Sequence, residues 1–227
     1  MNIFTFWEGP MPDYIRLCMG TWKVQHTILD YGNLSEYTDL KIKQLQRFTL
    51  PQIADCVRVH VLRDSGGYWL DADTIMLTDK MPDAMMIGNP ALRTQSIGYL
   101  YARERGMALF TEWAAYQDSV LNDPNASHHW SVMGNMFTDR YVKQHNEVTI
   151  CPIKMCLPET YLIRDDAERY YKYLRFYFNS AYRLDDIEPT NILMLHNSWT
   201  PQWYKELSAD AVLKQGCTLS NILREVL

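Results

Sequence analysis

The chain has 227 residues, which is long enough to bury a substantial core, and its 47% hydrophobic and 22% charged residues are typical of a globular protein. Its formal net charge of -5, without any run of basic residues, argues against a nucleic-acid-binding protein. The five cysteines include no CxxC spacing, so we expect reduced thiols in the core, with Cys18 and Cys56 on buried helix faces.

The amino-terminal residues and the hydropathy of the chain bear on its location. Residues 1–7 lack the charged region and the apolar run of a signal peptide. No segment of the sequence has the ~20 consecutive apolar residues of a transmembrane helix. We therefore expect a cytoplasmic protein, and peripheral contact with the inner face of the membrane stays open.

The first 30 residues predict a βαβ unit, which is the usual start of a sheet covered by helices. Residues 2–7 and 23–30 predict two strands, and a helix opens between them at Asp13. The apolar set of this helix recurs at helical spacing and should be buried: Ile15, Cys18, Met19 and Trp22. Neither GxGxxG nor a P-loop follows the first strand, which argues against a dehydrogenase or a P-loop NTPase.

A second helix is predicted over residues 52–64, where apolar side chains recur at helical spacing. Asp55 and Arg58 are three positions apart and should lie side by side, although an ordinary helix ion pair of this kind contributes only ~0.2–0.5 kcal/mol. Gly66 and Gly67 should end the helix, because glycine accepts the left-handed conformation found at many helix termini.

A short aromatic strand, residues 68–70, then leads to Asp71 and Asp73 at its carboxyl end. Side chains two positions apart point to opposite faces of a regular strand, but both can approach one ligand where the backbone turns. Hard cations such as Mg²⁺ prefer carboxylate and phosphate oxygens and keep few protein ligands. An Asp-x-Asp at this place therefore suits a metal-bound nucleotide diphosphate, although the pattern alone more often marks a solvated turn.

The rest of the chain alternates predicted strands and helices. We expect strands at 74–77, 84–87, 97–101, 148–153 and 191–195, helices at 104–121, 135–144 and 165–178, and a capped helix in the last 20 residues that starts at Thr218 or Ser220. The adjacent His128 and His129 are more typical of a polar surface than of a metal site. The aromatic helix at 165–178 suits a glycan, a partner or a membrane surface, with ordinary burial as an equal alternative.

The segment His196-Asn-Ser-Trp199 follows the last predicted strand. Mn²⁺ accepts a neutral imidazole readily, so His196 is a candidate metal ligand. A lone histidine at a strand end is more often structural, but the upstream carboxylates favour a functional role here.

Two stretches taken together resemble the core of one group of enzymes. Residues 54–58, Ala-Asp-Cys-Val-Arg, and residues 66–73, Gly-Gly-Tyr-Trp-Leu-Asp-Ala-Asp, are similar to the pattern of the DXD sugar transferases. That group includes capsular polysaccharide synthesis proteins, glycosyltransferase family 32 and, more distantly, the large clostridial glucosylating toxins. Residues 196–199 resemble a segment that closes over the metal diphosphate in family 32, with tighter spacing. Residues 130–135 resemble a Gly-Pro segment near the donor sugar, with Asn135 in place of the proline.

The resemblance covers most of the chain and is strongest over 1–80 and 190–200. It implies a GT-A-type fold, a single α/β (Rossmann-like) domain with a mixed, largely parallel central sheet flanked by helices. Residues 1–80 would form the nucleotide-binding half, 81–200 the acceptor and sugar half with the strand that closes the metal site, and 201–227 a helical extension. The βαβ opening supports the α/β class independently.

The resemblance also implies a function, which is that of a retaining hexosyltransferase in bacterial surface polysaccharide synthesis. A nucleotide sugar, expected to be a UDP-sugar, would donate its sugar to a glycan or lipid-linked saccharide, with Mn²⁺ or Mg²⁺ as cofactor. Asp73 and His196 would bind the metal, and Asp71 would reach the ribose or the metal through water. The other implied residues are Trp7 at the nucleobase, Asp55 and Arg58 at the donor sugar and diphosphate, Asn197 and Ser198 at the phosphates, and Trp199 near the leaving oxygen.

Alternatives remain at the level of single residues and of the whole chain. Trp7 lies at the end of the first strand, where open α/β sheets bind ligands, but packing on its neighbours would also explain it. A nucleotide-sugar hydrolase or nucleotidyltransferase would use similar carboxylates, and a non-catalytic glycan-binding module would use the aromatic residues alone. Retention is expected partly because an inverting enzyme needs a carboxylate base, and the candidates lack a partner motif: Asp118, Asp123, Asp139, Glu147 and Glu159.

Overall fold

The computed structural model describes residues 2–126, 129–152, 166–187 and 190–227. The chain forms two compact units, each assembled from three segments. The first unit comprises Met1–Gly9, Gln25–Asp71 and Asp83–Pro152, and the second comprises Pro10–Val24, Ala72–Pro82 and the described part of Ile153–Leu227. The chain therefore passes from one unit to the other between Asp71 and Ala72. The single domain with three functional parts stays a prediction.

A six-stranded sheet lies at the centre of the first unit. Its strands are β1 (Ile3–Phe6), β2 (His26–Leu29), β3 (Gly67–Leu70), β5 (Met86–Asn89), β6 (Thr94–Ala102) and β7 (Ile150–Pro152), while β4 (Thr74–Met76) belongs to the second unit. The strand order is β2-β1-β3-β6-β5-β7. Neighbours pair in parallel at β1/β2, β1/β3 and β5/β7, and antiparallel at β3/β6 and β5/β6. The predicted α/β class with a mixed, largely parallel sheet flanked by helices is confirmed.

Helices of the first unit pack on this sheet and on one another. They are α2 (Ile42–Leu45), α3 (Leu50–Ser65), α4 (Ala108–Asn122) and α5 (Asn135–Gln144). At the start of α3, the side-chain oxygen of Gln52 accepts a hydrogen bond from the Thr49 N–H at 3.0 Å. Gly66 ends α3 with a φ of 66°, which confirms the predicted glycine stop. The helix therefore delivers Asp55 and Arg58 at fixed positions before β3 begins.

The core of the first unit lies between α3, α4 and the sheet. Val57 and Val61 of α3, Trp113 of α4, and Phe4 and Trp69 of the strands are all buried in it. Burial of a side chain of this size contributes roughly 1.5–3 kcal/mol. This packing makes α3 and β3 a rigid base for the polar residues that they carry.

The second unit is mostly helical, with one small sheet. Its elements are α1 (Asp13–Gly20), β4, α6 (Asp166–Tyr177), β8 (Ile192–Met194), α7 (Gln202–Lys205), α8 (Ala209–Lys214) and α9 (Thr218–Val226). β4 and β8 pair antiparallel, with Thr74 opposite Met194. The residues that follow α1 are tied to β4, because Trp22 Nε1 donates to the Thr74 carbonyl at 2.7 Å and the Met76 N–H donates to Thr21 Oγ1 at 2.8 Å.

Two predicted helices differ from the structure. The helix expected from residue 104 begins at Ala108, because Gly106 takes a φ of 75° that a right-handed helix cannot contain. The last 20 residues hold two helices instead of one, because Gln215 is extended after α8; α9 does begin at Thr218, as predicted. The apolar set of α1 is buried, as are Cys18 and Cys56, which confirms those predictions. Cys156 lies outside the described residues.

Candidate functional site

In the first unit, Arg58 holds two carboxylates together. Its Nη2 lies 3.0 Å from an oxygen of Asp55 and 3.2 Å from an oxygen of Asp71. The first contact follows from the i,i+3 spacing on α3, and the second from the position of Asp71 directly after β3. We call Asp55, Arg58 and Asp71 the charge cluster. The predicted neighbourhood of Asp55 and Arg58 is confirmed, whereas sequence reasoning did not foresee that Arg58 also contacts Asp71.

The guanidinium of Arg58 is nearly saturated by protein acceptors. Arg58 is 4% exposed, donates from Nε to the Ala54 carbonyl at 3.3 Å and from Nη1 to the Ile97 carbonyl, and lies 5.2 Å from the ring centre of Trp69. The indole N–H of Trp69 donates to the same Asp71 oxygen at 2.9 Å. With four acceptors engaged, Arg58 is better placed to position the two carboxylates than to reach a diphosphate itself.

Asp55 is the less exposed of the two carboxylates in the charge cluster, with 14% of its side chain exposed against 35% for Asp71. Burial raises the pKa of its carboxyl to about 6, with Arg58 acting in the opposite direction and the charge of Asp71 adding to the rise. Asp55 is therefore ionised at neutral pH and titrates just below it. This titration makes the cluster sensitive to mild acid.

Gly134 brings the segment 130–135 close to Asp55. A Cβ at this position would lie 2.7 Å from an Asp55 oxygen and 2.5 Å from the Ile97 side chain, so a larger residue would have to displace both side chains. The neighbouring Met133 carbonyl is fixed by the Trp113 indole at 2.9 Å and by the Gln117 amide at 2.6 Å. The segment that resembles the family's donor-sugar segment therefore contacts the charge cluster, and its role in sugar binding stays a prediction.

Trp7 follows β1, which runs parallel to β3, so Trp7 and Asp71 come after the carboxyl ends of neighbouring parallel strands. Its backbone N–H donates to the Leu29 carbonyl at 2.9 Å, and its side chain is half-buried. Among the residues that the structure describes, no acceptor partners the buried indole Nε1. A ring with an unused donor at this edge of an α/β sheet is available to a ligand.

In the second unit, Asp73 is held by the segment after β8. The Asn197 N–H donates to the Asp73 carboxylate at 2.7 Å, and the Leu195 N–H donates to the Asp73 carbonyl at 3.1 Å. The β4–β8 ladder explains both bonds, because it sets Thr74 opposite Met194 and so carries the residues beyond each strand past one another. The two predicted metal-site segments, 124 residues apart, meet here.

Tyr14 completes this arrangement from α1. Its hydroxyl donates to the Asn197 side-chain oxygen at 2.5 Å. Burial, and next the charge of Asp73, raise the pKa of the Tyr14 hydroxyl well above its ordinary value, so the hydroxyl stays protonated and remains a donor. Sequence reasoning missed Tyr14 because its position on the apolar face of α1 is that of a core residue. We call Asp73, Asn197 and Tyr14 the turn cluster.

Asn197 of the turn cluster is flanked in the sequence by His196, Ser198 and Trp199. Residues Asn197–Trp199 form one turn of 3₁₀ helix, with Ser198 exposed and the other two residues half-buried. The rings of His196 and Trp199 lie 4.1 Å apart, and the Tyr173 hydroxyl accepts from the His196 N–H at 3.3 Å. The turn therefore presents an imidazole, a hydroxyl and an indole beside Asp73.

The donor types of the second unit suit Mn²⁺ or Mg²⁺. Carboxylate and amide oxygens are the ligands that these cations prefer, and both oxygens are positioned by hydrogen bonds from Asn197 and Tyr14. Within the described ranges, no group of three or more His, Cys, Asp or Glu side chains gathers as a metal site. A cation at Asp73 would thus take much of its shell from water or phosphate, which is the usual habit of Mg²⁺.

The histidine pair at 128–129 falls partly outside the described residues, since His128 is not among them. His129 is exposed, and its Nδ1 lies 2.9 Å from Ser131 Oγ. This is the polar surface that the sequence suggested for it.

Comparison with known proteins gives a family. The model of the capsular polysaccharide synthesis proteins matches residues 1–191, and the chain belongs to that family. No curated protein matches the chain. In the part of the chain that the structure describes, none of the helices is both long enough and apolar enough to span a membrane. A role in polysaccharide synthesis follows from the family.

Proposed function

We propose that this capsular polysaccharide synthesis protein is a metal-dependent, retaining glycosyltransferase. Its donor is a nucleotide sugar, in the first instance a UDP-sugar, and its acceptor a glycan or lipid-linked saccharide. One observation carries the proposal, namely the hydrogen bond from the Asn197 N–H to the Asp73 carboxylate. It joins the Asp-x-Asp and the His-Asn-Ser-Trp segments, which the sequence had assigned to the same chemistry from separate patterns. A cytoplasmic location is part of the proposal.

Asp73 and the side-chain oxygen of Asn197, with His196 in the same segment, would hold Mn²⁺ or Mg²⁺. When bound, the cation stabilises the negative charge of the departing nucleoside diphosphate. Ser198 and the indole N–H of Trp199 can donate hydrogen bonds to phosphate oxygens, because one is exposed and the other half-buried on the same turn. The protein thus supplies orientation and fixed donors for charge that grows as the bond breaks.

The charge cluster takes the second role, which is recognition of the donor. Arg58 fixes Asp55 and Asp71, and the two carboxylates accept hydrogen bonds from donor hydroxyls. Asp71 suits the ribose, because its side chain is 35% exposed and one of its oxygens is already oriented by Trp69. Trp7 stacks on the nucleobase at the end of β1.

Retention at the anomeric carbon is supported by the contacts of the acidic residues that could serve as the base of an inverting enzyme. Each described candidate lies beside a protein group: Asp118 at 3.7 Å from His60, Asp123 at 2.8 Å from the Asn125 N–H, Asp139 at 2.9 Å from Gln95, and Glu147 at 2.8 Å from His145. Glu159 lies outside the described residues. In a retaining transfer, the departing phosphate accepts the acceptor's proton on the same face, and no such base is needed.

The test is a screen of UDP- and GDP-sugars for hydrolysis and for transfer to saccharides, with Mn²⁺ and with EDTA. We expect one donor to be turned over only with the cation. Proton NMR of the new linkage should show an α-linked product from an α-linked donor, and a β-linked product would refute retention. Turnover to free sugar alone, with every acceptor supplied, would favour a nucleotide-sugar hydrolase. Saccharide binding without any donor turnover would favour a binding module.

The place of the nucleobase is tested at Trp7. Because stacking of a base on an aromatic ring contributes ~1–3 kcal/mol, Trp7→Ala should weaken UDP binding roughly tenfold or more. Calorimetric titration of UDP measures it, with Trp203→Ala as the control, since Trp203 is 48% exposed and lies outside the residues assigned to the donor. Equal affinities of the wild type and Trp7→Ala would make Trp7 a packing residue.

A further inference from the structure

The aromatic helix α6 divides its tyrosines between two environments. Tyr173 and Tyr177 are buried, at 2% and 1% exposure, whereas Tyr170 and Tyr171 are 37% and 70% exposed. The sequence left burial and ligand binding open for this helix, and the structure shows that two of its rings serve the core. The other two need a different explanation.

The exposed rings of Tyr170 and Tyr171 adjoin the 3₁₀ turn Asn197–Trp199. The rings of Tyr170 and Trp199 form a T-shaped pair with 6.3 Å between their centres and 78° between their planes. Tyr171 lies 5.9 Å from Tyr170, and the guanidinium of Arg169 lies 5.8 Å from the ring centre of Trp199. Aromatic contacts therefore run without a break from His196, through Trp199 and Tyr170, to the solvent-facing ring of Tyr171.

The chemistry of this surface matches a saccharide. A tyrosine ring offers an apolar face and a hydroxyl at its tip, while a pyranose offers C–H faces and hydroxyls. An anionic membrane surface would need a cluster of unpaired basic residues, but Lys172 on the same helix pairs with Glu168 at 3.5 Å. Tyrosine is also enriched at protein interfaces, so a saccharide is favoured here by the contact of Tyr170 with Trp199, which connects this surface to the proposed donors of the leaving group.

We propose that Tyr170 and Tyr171 form the platform on which the acceptor saccharide stacks. This inference rests on the proposed function. In a retaining transfer the acceptor hydroxyl attacks from the face that the leaving phosphate occupies, so the acceptor must lie beside the donors of the leaving group. Trp199 is one of these donors, and the ring of Tyr170 contacts it. Tyr171 then extends the surface by a second ring, which suits an acceptor of at least two sugar units.

The test compares kinetic constants for the acceptor in three variants and the wild type. Using the donor found in the screen and the best acceptor among lactose, maltose and cellobiose, Tyr171→Ala should raise the acceptor KM about tenfold, as expected for loss of one stacked ring. The ratio of transfer to donor hydrolysis should fall to a similar extent. Tyr171→Phe, which keeps the ring, should stay within about threefold of the wild type, since it loses one hydrogen bond at most.

The matched control is Tyr182→Ala. Tyr182 is an exposed tyrosine of the same unit, at 47%, and its ring stacks on Phe176 at 5.4 Å. We expect its acceptor KM and its ratio of transfer to hydrolysis to equal those of the wild type. An unchanged acceptor KM in Tyr171→Ala, or an equal change in Tyr182→Ala, would overturn the platform.

A second measurement keeps the two proposals separate. Saturation-transfer NMR of the three disaccharides, without any donor, should show contact with the wild type and a much weaker signal with Tyr171→Ala. If the wild type turns over no donor but this difference is seen, the proposed reaction fails, and Tyr170 and Tyr171 stand as a saccharide-binding surface without the acceptor role. If the donor is turned over but the disaccharide signals are the same in both proteins, the platform fails alone. Loss of binding to anionic vesicles in Tyr171→Ala, with unchanged saccharide signals, would make this surface a membrane contact instead.

Discussion

The charge cluster of the first unit and the turn cluster of the second differ in the groups that hold their carboxylates. The charge cluster is made of ions: one guanidinium lies within 3.0 and 3.2 Å of two carboxylates. The turn cluster contains one carboxylate, which is held by a backbone N–H at 2.7 Å and, beyond it, by an amide and a phenol. With both carboxylates ionised, the charge cluster keeps one net negative charge, and each of its carboxylates contacts the guanidinium. The turn cluster also carries one negative charge, but its carboxylate contacts only neutral groups of the same cluster.

This difference separates the two kinds of work that carboxylates do in a site. A carboxylate that is already paired with a buried arginine contributes shape and hydrogen-bond acceptors, and its loss disturbs the fold. A carboxylate whose partners within its cluster are neutral donors keeps its charge for a bound cation, and its loss removes chemistry. We therefore expect variants of the turn cluster to lose activity and variants of the charge cluster to lose stability first.

The largest effect is expected at Asp73. Asp73→Ala should lower cation-dependent turnover on the order of 10³-fold or more, because the charge that holds the cation is gone. Asp73→Asn should lose nearly as much activity while keeping an acceptor for the Asn197 N–H, which separates loss of charge from loss of fold. Steady-state rates with Mn²⁺ measure both variants.

The control for that prediction is Asp79→Ala, because Asp79 is exposed in the same unit, six positions along the chain. It should turn over donor as the wild type does. An Asp73→Asn variant with wild-type turnover would remove Asp73 from the metal site and would break the contrast between the clusters.

The next effect is on stability, at Arg58. Arg58→Ala leaves Asp55 buried without its partner and should lower the free energy of unfolding by about 3–5 kcal/mol. Arg58→Lys should recover part of the loss, because an ammonium keeps the charge but cannot bridge two carboxylates with a planar fork. Urea unfolding followed by circular dichroism measures the differences.

Arg16 supplies the matched control. Arg16 and Asp13 also stand three positions apart on a helix, but they lie 3.8 Å apart with 62% and 41% of their side chains exposed. Arg16→Ala should therefore cost at most about 1 kcal/mol. Equal losses in Arg58→Ala and Arg16→Ala would show that the charge cluster is an ordinary surface pair.

A third effect depends on pH and comes from Asp55. Its pKa is about 6 in the folded chain, against an ordinary value of 3.8. The folded state therefore binds the proton more tightly, so the stability gained from neutral Asp55 is full below pH 3.8 and is lost as the pH rises through about 6. The wild type should gain on the order of 3 kcal/mol over Asp55→Asn as the pH falls from 7 to 4.

Urea unfolding of both proteins at pH 4, 5, 6 and 7 tests this dependence. Asp79→Asn, which removes an exposed carboxylate, should run parallel to the wild type across the series. If the difference between the wild type and Asp55→Asn stayed constant with pH, or grew as the pH rose, the raised pKa of Asp55 would be wrong.

The two clusters also differ in how far the sequence predicts them. Asp55 and Arg58 lie on one helix, and helical spacing is enough to predict that they are neighbours. The contact of Arg58 with Asp71 could not be predicted, because it depends on the direction that β3 takes after α3 ends at Gly66. The glycine stop itself was predicted, since glycine is the residue that takes the positive φ seen there.

The turn cluster depends on contacts between distant parts of the chain. The sequence identified Asp73 and the segment from His196 as candidates, but only the pairing of β4 with β8 brings them together. Periodicity along the chain carries no information about which short strand pairs with which. The same limit applies to the sheet, whose α/β class follows from the alternation of elements but whose strand order does not.

The smallest effect is expected at Tyr14, the residue of the turn cluster that was not predicted from the sequence. Tyr14→Phe removes one buried hydroxyl, and a single hydrogen bond contributes about 1 kcal/mol, so Mn²⁺ affinity should fall roughly three- to tenfold. Tyr204→Phe is the matched control, because Tyr204 also lies buried and its hydroxyl is 2.9 Å from that of Ser220. Both variants should lose similar stability, but only Tyr14→Phe should bind Mn²⁺ more weakly in calorimetric titrations with UDP present. Equal Mn²⁺ affinities in the two variants would make Tyr14 a packing residue and would show that its hydroxyl does not position Asn197 for the cation.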